Sequence, residues 1–222
     1  MIKKSWNLNE LRDMFVAKYG NNLLPRLEEY LYTIHWKKWR TEFHIEQSDH
    51  IWAELFKLPV VSASDEPFQK ALESAQAEAE ATVQTLHAIG DILAQAVNLT
   101  IFGPVALSED NVSLHNVLKK IREQGAAPKV EQALISFKSS NEFKYVDAFC
   151  NTVKHRKLID VFYHFHADIK NDTLQEGIKF KEFSYKGDSF PAIWFDSVSK
   201  EFKLTIYDLL CDVGLAINEF LK

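Results

Sequence analysis

Only two cysteines occur among the 222 residues, Cys150 and Cys211. They cannot build a disulfide framework, and they are too few for a cysteine zinc site. Standing far apart in helix-like surroundings, they read as reduced, buried, small apolar residues. Glycine (seven) and proline (six) are also scarce, fewer than a turn-rich sandwich or barrel carries. No run of about 18 apolar residues occurs, so no transmembrane helix is expected. The opening MIKKSWNLNELRDMF lacks the apolar stretch of a signal peptide. The expected setting is therefore cytoplasmic, with no membrane partner. Absent too are G-x-G-x-x-G, G-x-x-x-x-G-K-[S/T] and G-x-S-x-G, which weighs against the common nucleotide-dependent enzymes and serine hydrolases. A net charge of −5 sets up no global attraction for nucleic acid, so any anion site has to be a local basic patch.

Core-forming material, by contrast, is plentiful. Hydrophobic residues make up 46% and aromatics 13%, with sixteen Phe and five Trp, which argues against disorder. Leu8, Leu11, Phe15 and Tyr19 form a first helical stripe, ended by Gly20 and Asn21. A second helix starts near Pro25 and carries Leu27, Leu31 and Ile34 towards residues 35–40, and Ser48 to Leu58 suggests a separate short helix stopped by Pro59. The strongest start signal is SASDEPFQ at 62–69: Ser64 or Asp65 can cap, Glu66 suits the positive end of the helix dipole, and Pro67 fits the first turn. From Phe68 to about Ile101 apolar residues recur at spacings of three and four, a helical period sustained until Gly103-Pro104.

Further helices are expected from about Ser108 or Asp110 to Gln124, and from Pro128 through Phe137. Ser139 with Glu142 resembles a capping box, opening a helix that carries Val146, Phe149 and Cys150 inward and extends to about Ala167. Residues 178–196 alternate apolar and polar around Lys186-Gly187-Asp188, the pattern of a small β-hairpin whose second strand Pro191 restricts to an edge. A last helix spans about Ser199 to Phe220. The expected fold is mainly α: a single helical domain over 1–222, a bundle with a long central helix and a β-hairpin excursion near the C-terminus. No internal repeat is visible.

Two polar lines edge these apolar stripes. On the long helix His87, Asp91 and Asn98 follow Leu86, Gly90 and Val97 by one position each. On the later helix Asp147, Asn151 and His155 repeat every four residues, with Lys154 and Arg156 beside them. Imidazole next to carboxylate is a sensible acid–base arrangement, because the carboxylate fixes the tautomer and raises the basicity of the ring. Such pairs one turn apart also serve as simple helix supports, and half-buried Asn often sets helix register. His87, Asp91 and His155 could alternatively ligate a divalent ion in a metal-dependent hydrolase, although the Glu-x-x-His pattern of bundle metal sites is missing. In His35-Trp36-Lys37-Lys38-Trp39-Arg40, cations alternate with aromatic faces as in single-strand binders. The preferred expectation is that both tryptophans point inward while the cations are solvated.

The stretch Phe149-Cys150-Asn151-Thr152-Val153-Lys154-His155-Arg156 resembles the signature region of HEPN-type helical domains. These are all-α bundles of prokaryotic defence and toxin–antitoxin systems, and many are metal-independent ribonucleases that act as dimers and carry Arg-Asn-x-x-x-His on a late helix. Asn151 and His155 match the Asn and His of that motif, and Cys150 stands where it has Arg. The resemblance implies no cofactor, RNA or a protein as partner, a homodimer, and a catalytic set of His155 and Asn151 with Lys154 or Arg156 as the cation; His87 and Asp91 are the pair that could complete the site. A non-catalytic interaction or structural protein is the alternative.

Overall fold

The computed structural model describes residues 5–55, 57, 62, 64–168 and 173–222. Among them are seven α-helices and five strands: α1 (Leu8–Tyr19), α2 (Leu24–Leu55), α3 (Glu66–Phe102), α4 (Leu114–Gln124), α5 (Pro128–Ser139), α6 (Asn141–His155), β1 (Val161–Asp168), β2 (Thr173–Phe180), β3 (Phe183–Tyr185), β4 (Asp188–Phe190), β5 (Ile193–Trp194) and α7 (Lys203–Leu221). The fold is mainly α, with a long central helix and a small antiparallel strand region near the C-terminus. The chain divides into two compact units. Unit one holds Met1–Lys38, His87–Lys144 and Leu204–Lys222, and unit two holds Trp39–Leu86 and Tyr145–Lys203.

Helix α3 starts and stops within two residues of its sequence signals. Its first turns bury one face, through Ala75 and Ala79, whereas from Thr82 to Phe102 most residues are buried, Gln84 and Asp91 being the exposed ones. That second half is therefore a core helix rather than an amphipathic one. By length and mean hydropathy the stretch Glu66–Val105 could cross a membrane, but 67% of its most apolar window is covered by the protein itself, as expected of a bundle's central helix.

In unit one, Tyr19 donates to the carbonyls of Thr100 (3.2 Å) and Ile101 (3.0 Å), capping the end of α3. The amide of Asn218 binds the N-terminal segment, accepting from Trp6 Nε1 (3.0 Å) and donating to Asn7 O (2.9 Å). Asn98, only 2% exposed, works the same way. Its Nδ2 donates to Leu107 O at 2.9 Å and its Oδ1 accepts from Leu107 N at 3.0 Å. This polar member of the α3 line thus fixes the chain that leaves the helix. Asn98→Ala would leave two backbone groups unpaired, and a loss of about 2–3 kcal/mol in urea-denaturation stability is expected. A loss below ~0.5 kcal/mol would mean that water replaces the amide.

In unit two an aromatic cluster forms around α6. Tyr145 meets Phe183 (5.3 Å between centroids), Phe202 (5.6 Å) and Phe190 (5.9 Å) edge-on, the favoured geometry for quadrupolar rings. The hairpin β3–β4 turns through Lys186 (φ 52°) and Gly187 (φ 93°). Two successive positive φ angles are what a tight two-residue hairpin turn needs, and glycine supplies the second without strain. Pro191 lies just beyond β4, outside the ladder.

Four expectations are corrected. Residues 24–55 form one helix, not two, since nothing between Ile34 and Ser48 breaks the backbone ladder; Leu58 and Pro59 lie outside the described residues. The helix expected from Ser108 is a short 3₁₀ turn (Glu109–Asn111) followed by α4, which Ser113 caps by accepting from Asn116 N at 3.1 Å. Ser140, not Ser139, caps α6, accepting from Phe143 N at 3.1 Å. Finally, α6 ends at His155, and Val161–Asp168 is a strand, paired antiparallel with β2 from Val161↔Phe180 to Asp168↔Thr173. The run Val-Phe-Tyr-His-Phe has the β-branched and aromatic content that a pleated surface favours.

Candidate functional site

The motif residues lie on the last turn of α6, in unit two. Cys150 is buried, its thiol 3.7 Å from Val83 O on α3, so no cation reaches the site from the position where the HEPN-type motif has Arg. Asn151, next along, donates through Nδ2 to Asp147 O (2.8 Å) and Asp147 Oδ1 (3.0 Å), which fixes its amide one turn back on its own helix. Thr152 is buried, and its carbonyl accepts from both Arg156 N (2.9 Å) and Lys157 N (3.1 Å), closing the helix. Lys154, His155, Arg156 and Lys157 are all exposed at that end. Cations collect there favourably because the unsatisfied carbonyls carry the negative end of the helix dipole. The Arg156 guanidinium sits 4.7 Å above the Tyr185 ring, which limits its range of motion.

His87 and Asp91 belong to unit one. His87 is 9% exposed and lies parallel to the Phe143 ring, 6.2 Å between centroids and 3° between planes. Its Nδ1 is 3.6 Å from Asp91 Oδ2, too long for a hydrogen bond, and Asp91 is exposed. The imidazole is packed as an aromatic plate. Of the six residues expected to form one site, Asn151, Lys154 and His155 lie on α6 with Arg156 just after it, in unit two, and His87 and Asp91 lie on α3 in unit one.

A closer imidazole–carboxylate contact joins α2 and α3 in unit two: His44 Nδ1 is 2.6 Å from Glu78 Oε2. No spacing signal marks it, because the partners are 34 residues apart. Among the described residues, no three His, Cys, Asp or Glu side chains gather as metal ligands would. Trp36 and Trp39 do not point inward as expected; they are 38% and 52% exposed, beside Tyr32 (5.9 Å) and Phe43 (5.6 Å) respectively.

Two concavities were not foreseen. In unit one a groove of about 430 Å³ at α4 and α5 is lined by apolar Leu118 and Ile135 together with His115, Lys119, Arg122, Lys138 and Lys144; Arg122 is paired with Glu131 and Lys119 lies 3.8 Å from Glu123. In unit two a cavity of about 210 Å³ opens where α2 meets the sheet, with Asp49, Glu176 and Asp196 among tryptophan and tyrosine rings. Neither is written in a local motif. Comparison of this chain with protein-family models, with curated proteins and with solved structures gives no match.

Proposed function

We propose that this protein binds RNA at the C-terminal turn of α6 and cleaves it without a metal ion, in the manner of the HEPN-type ribonucleases that the motif resembles. The observation that carries this reading is the exposed row Lys154-His155-Arg156 beside an Asn151 whose amide is held by Asp147. Three positively charged or chargeable groups at one helix end suit a phosphodiester.

In this mechanism neutral His155 takes the proton of a ribose 2′-hydroxyl. The 2′-oxygen attacks phosphorus, the bond to the 5′-oxygen breaks, and that oxygen leaves with a proton from solvent. The products are a 2′,3′-cyclic phosphate and a 5′-hydroxyl end. Lys154 and Arg156 stabilise the charge that builds on the phosphorane. Asn151 orients the nucleotide through its carbonyl oxygen, the amide nitrogen being engaged by Asp147. A homodimer, as in many HEPN-type proteins, is part of the proposal.

The deciding measurement is cleavage of single-stranded RNA in EDTA, with end-group analysis, for wild type and His155→Ala. Removing a general base is expected to slow cleavage about 10²–10⁴-fold. Because His155 is exposed, the melting temperature should stay put. A second reading, a non-catalytic interaction protein, is favoured by the structural work that Asn151 and Arg156 already do against Asp147 and Tyr185. RNA binding without cleavage by the wild type would select it, and neither binding nor cleavage would sink the RNA proposal.

A further inference from the structure

The cavity of unit two has the chemistry of a cation receptor. Its buried lining includes Ser48, Ile178 and Phe195; Trp52, Tyr163 and Trp194 are half-buried around it; and Asp49, Glu176 and Asp196 are exposed at its mouth. Trp52 and Tyr163 meet at 5.1 Å between centroids, and Tyr163 donates to Glu176 Oε2 at 2.9 Å, so ring and carboxylate hold each other in place. Asp196 has Lys200 at 2.7 Å as partner, and Lys179 lies 5.3 Å over the Trp194 ring. Asp49 has no ion pair of its own among the described residues. Desolvation raises its carboxyl above the ordinary range, Asp196 and Glu46 push it the same way, and Lys200 and Lys203 oppose.

A second, independent observation points to an occupant. Ser48 is 1% exposed, and its Oγ has no hydrogen-bond partner among the described residues, although serine on a helix can ordinarily donate to a carbonyl one turn back. An unpaired buried hydroxyl costs free energy, about 1–3 kcal/mol, until a ligand or water reaches it. Ser48 is part of the wall of a cavity large enough for several waters.

We propose that this cavity binds a small organic primary ammonium ion, its N–H groups shared between the carboxylates and Ser48 Oγ and its alkyl part against the Trp52, Tyr163 and Trp194 rings. The aromatic faces favour an organic cation over a bare metal ion, because a cation near an aromatic face is attracted by the ring quadrupole. The acidic groups line the space without gathering as a metal-ligand set. A volume of about 210 Å³ falls below the ~300–1,000 Å³ of drug-sized pockets and fits a short amine or diamine. The site is separate from the α6 turn, and its test does not depend on RNA cleavage.

The experiment is calorimetric titration of the full chain with butane-1,4-diamine, with tetramethylammonium and Mg²⁺ as comparisons. Saturable one-to-one diamine binding is expected, with weaker tetramethylammonium binding because that ion has no N–H for Ser48. Asp49→Asn and Glu176→Gln should each weaken diamine binding about tenfold, the usual size for one charged hydrogen bond. Ser48→Ala should weaken it less, and Asp110→Asn, an equal charge change in unit one, should leave it unchanged. Asp49 is exposed and has no ion pair among the described residues, so the Asp49→Asn variant should melt close to wild type. No saturable diamine binding, equal binding by the Asp49→Asn variant, equal loss in Asp110→Asn, or Mg²⁺ displacing the diamine stoichiometrically would each overturn the proposal.

Discussion

Phe149→Ala should lower the stability of the protein by about 3–5 kcal/mol, the range seen when a buried phenylalanine is cut to a methyl. The Phe149 ring is wholly buried in unit two. It lies 5.0 Å from Phe180 on β2, 6.0 Å from Phe183 on β3 and 6.4 Å from Tyr145 on its own helix, all centroid to centroid. These neighbours are held by strand pairing and helix backbone, so they cannot all move in to fill the gap. The cost is then the lost transfer energy plus most of the cavity term. Against a total of about 5–15 kcal/mol for a typical domain, such a loss would leave the variant marginal. Phe149→Leu keeps much of the volume and should cost only about 1–1.5 kcal/mol. Urea denaturation followed by circular dichroism gives both values, and near-equal midpoints for wild type and Phe149→Ala would show that the ring is not the keystone of this cluster.

The long helix and its neighbours were legible because their signals are local. Ser64 to Pro67 announce the start of α3, and the spacing from Phe68 to Ile101 gives its period within one window. The turn at Lys186-Gly187 was legible for the same reason, since one glycine suffices to permit it. Beyond His155 the sequence is ambiguous: Ile159 to Ala167 is rich in apolar and aromatic residues, broken only by Asp160, His164 and His166, with no Gly or Pro, and such a stretch satisfies a helix or a strand equally. What decides for β1 is its pairing with β2, a contact that no local pattern encodes.

The candidate sites divide the same way. Asn151 and His155 share a helix face, and spacing alone finds that. His87 and Asp91 have the same spacing, yet Phe143 takes the imidazole as a stacking partner. The cation cavity was invisible because Trp52 on α2 meets Tyr163 on β1 only after the sheet forms.

Gly90→Val tests the close packing that gives His87 its environment, and should cost about 3 kcal/mol or more. A Cβ at position 90 would stand 2.5 Å from Phe143 Cζ, 2.7 Å from Cε2 and 3.3 Å from Phe137 Cε1. The Phe143 ring has little freedom to yield, with His87 at 6.2 Å and Phe137 at 4.6 Å as ring neighbours. Two opposing effects meet here. Alanine gains about 1 kcal/mol over glycine in a helix interior, whereas overpacking costs about 1–3 kcal/mol. Gly90→Ala should therefore come out between neutral and 2 kcal/mol destabilising, to the nearest ~1 kcal/mol, and valine, with two further methyls, clearly negative. Shortening the opposing ring makes room, so in a Phe143→Leu background Gly90→Ala should become neutral or stabilising. That change of sign in a double-mutant cycle is specific to a clash between these two positions. If Gly90→Ala instead stabilises the wild type by the full helix-propensity gain, α3 and α6 are not in contact at Gly90.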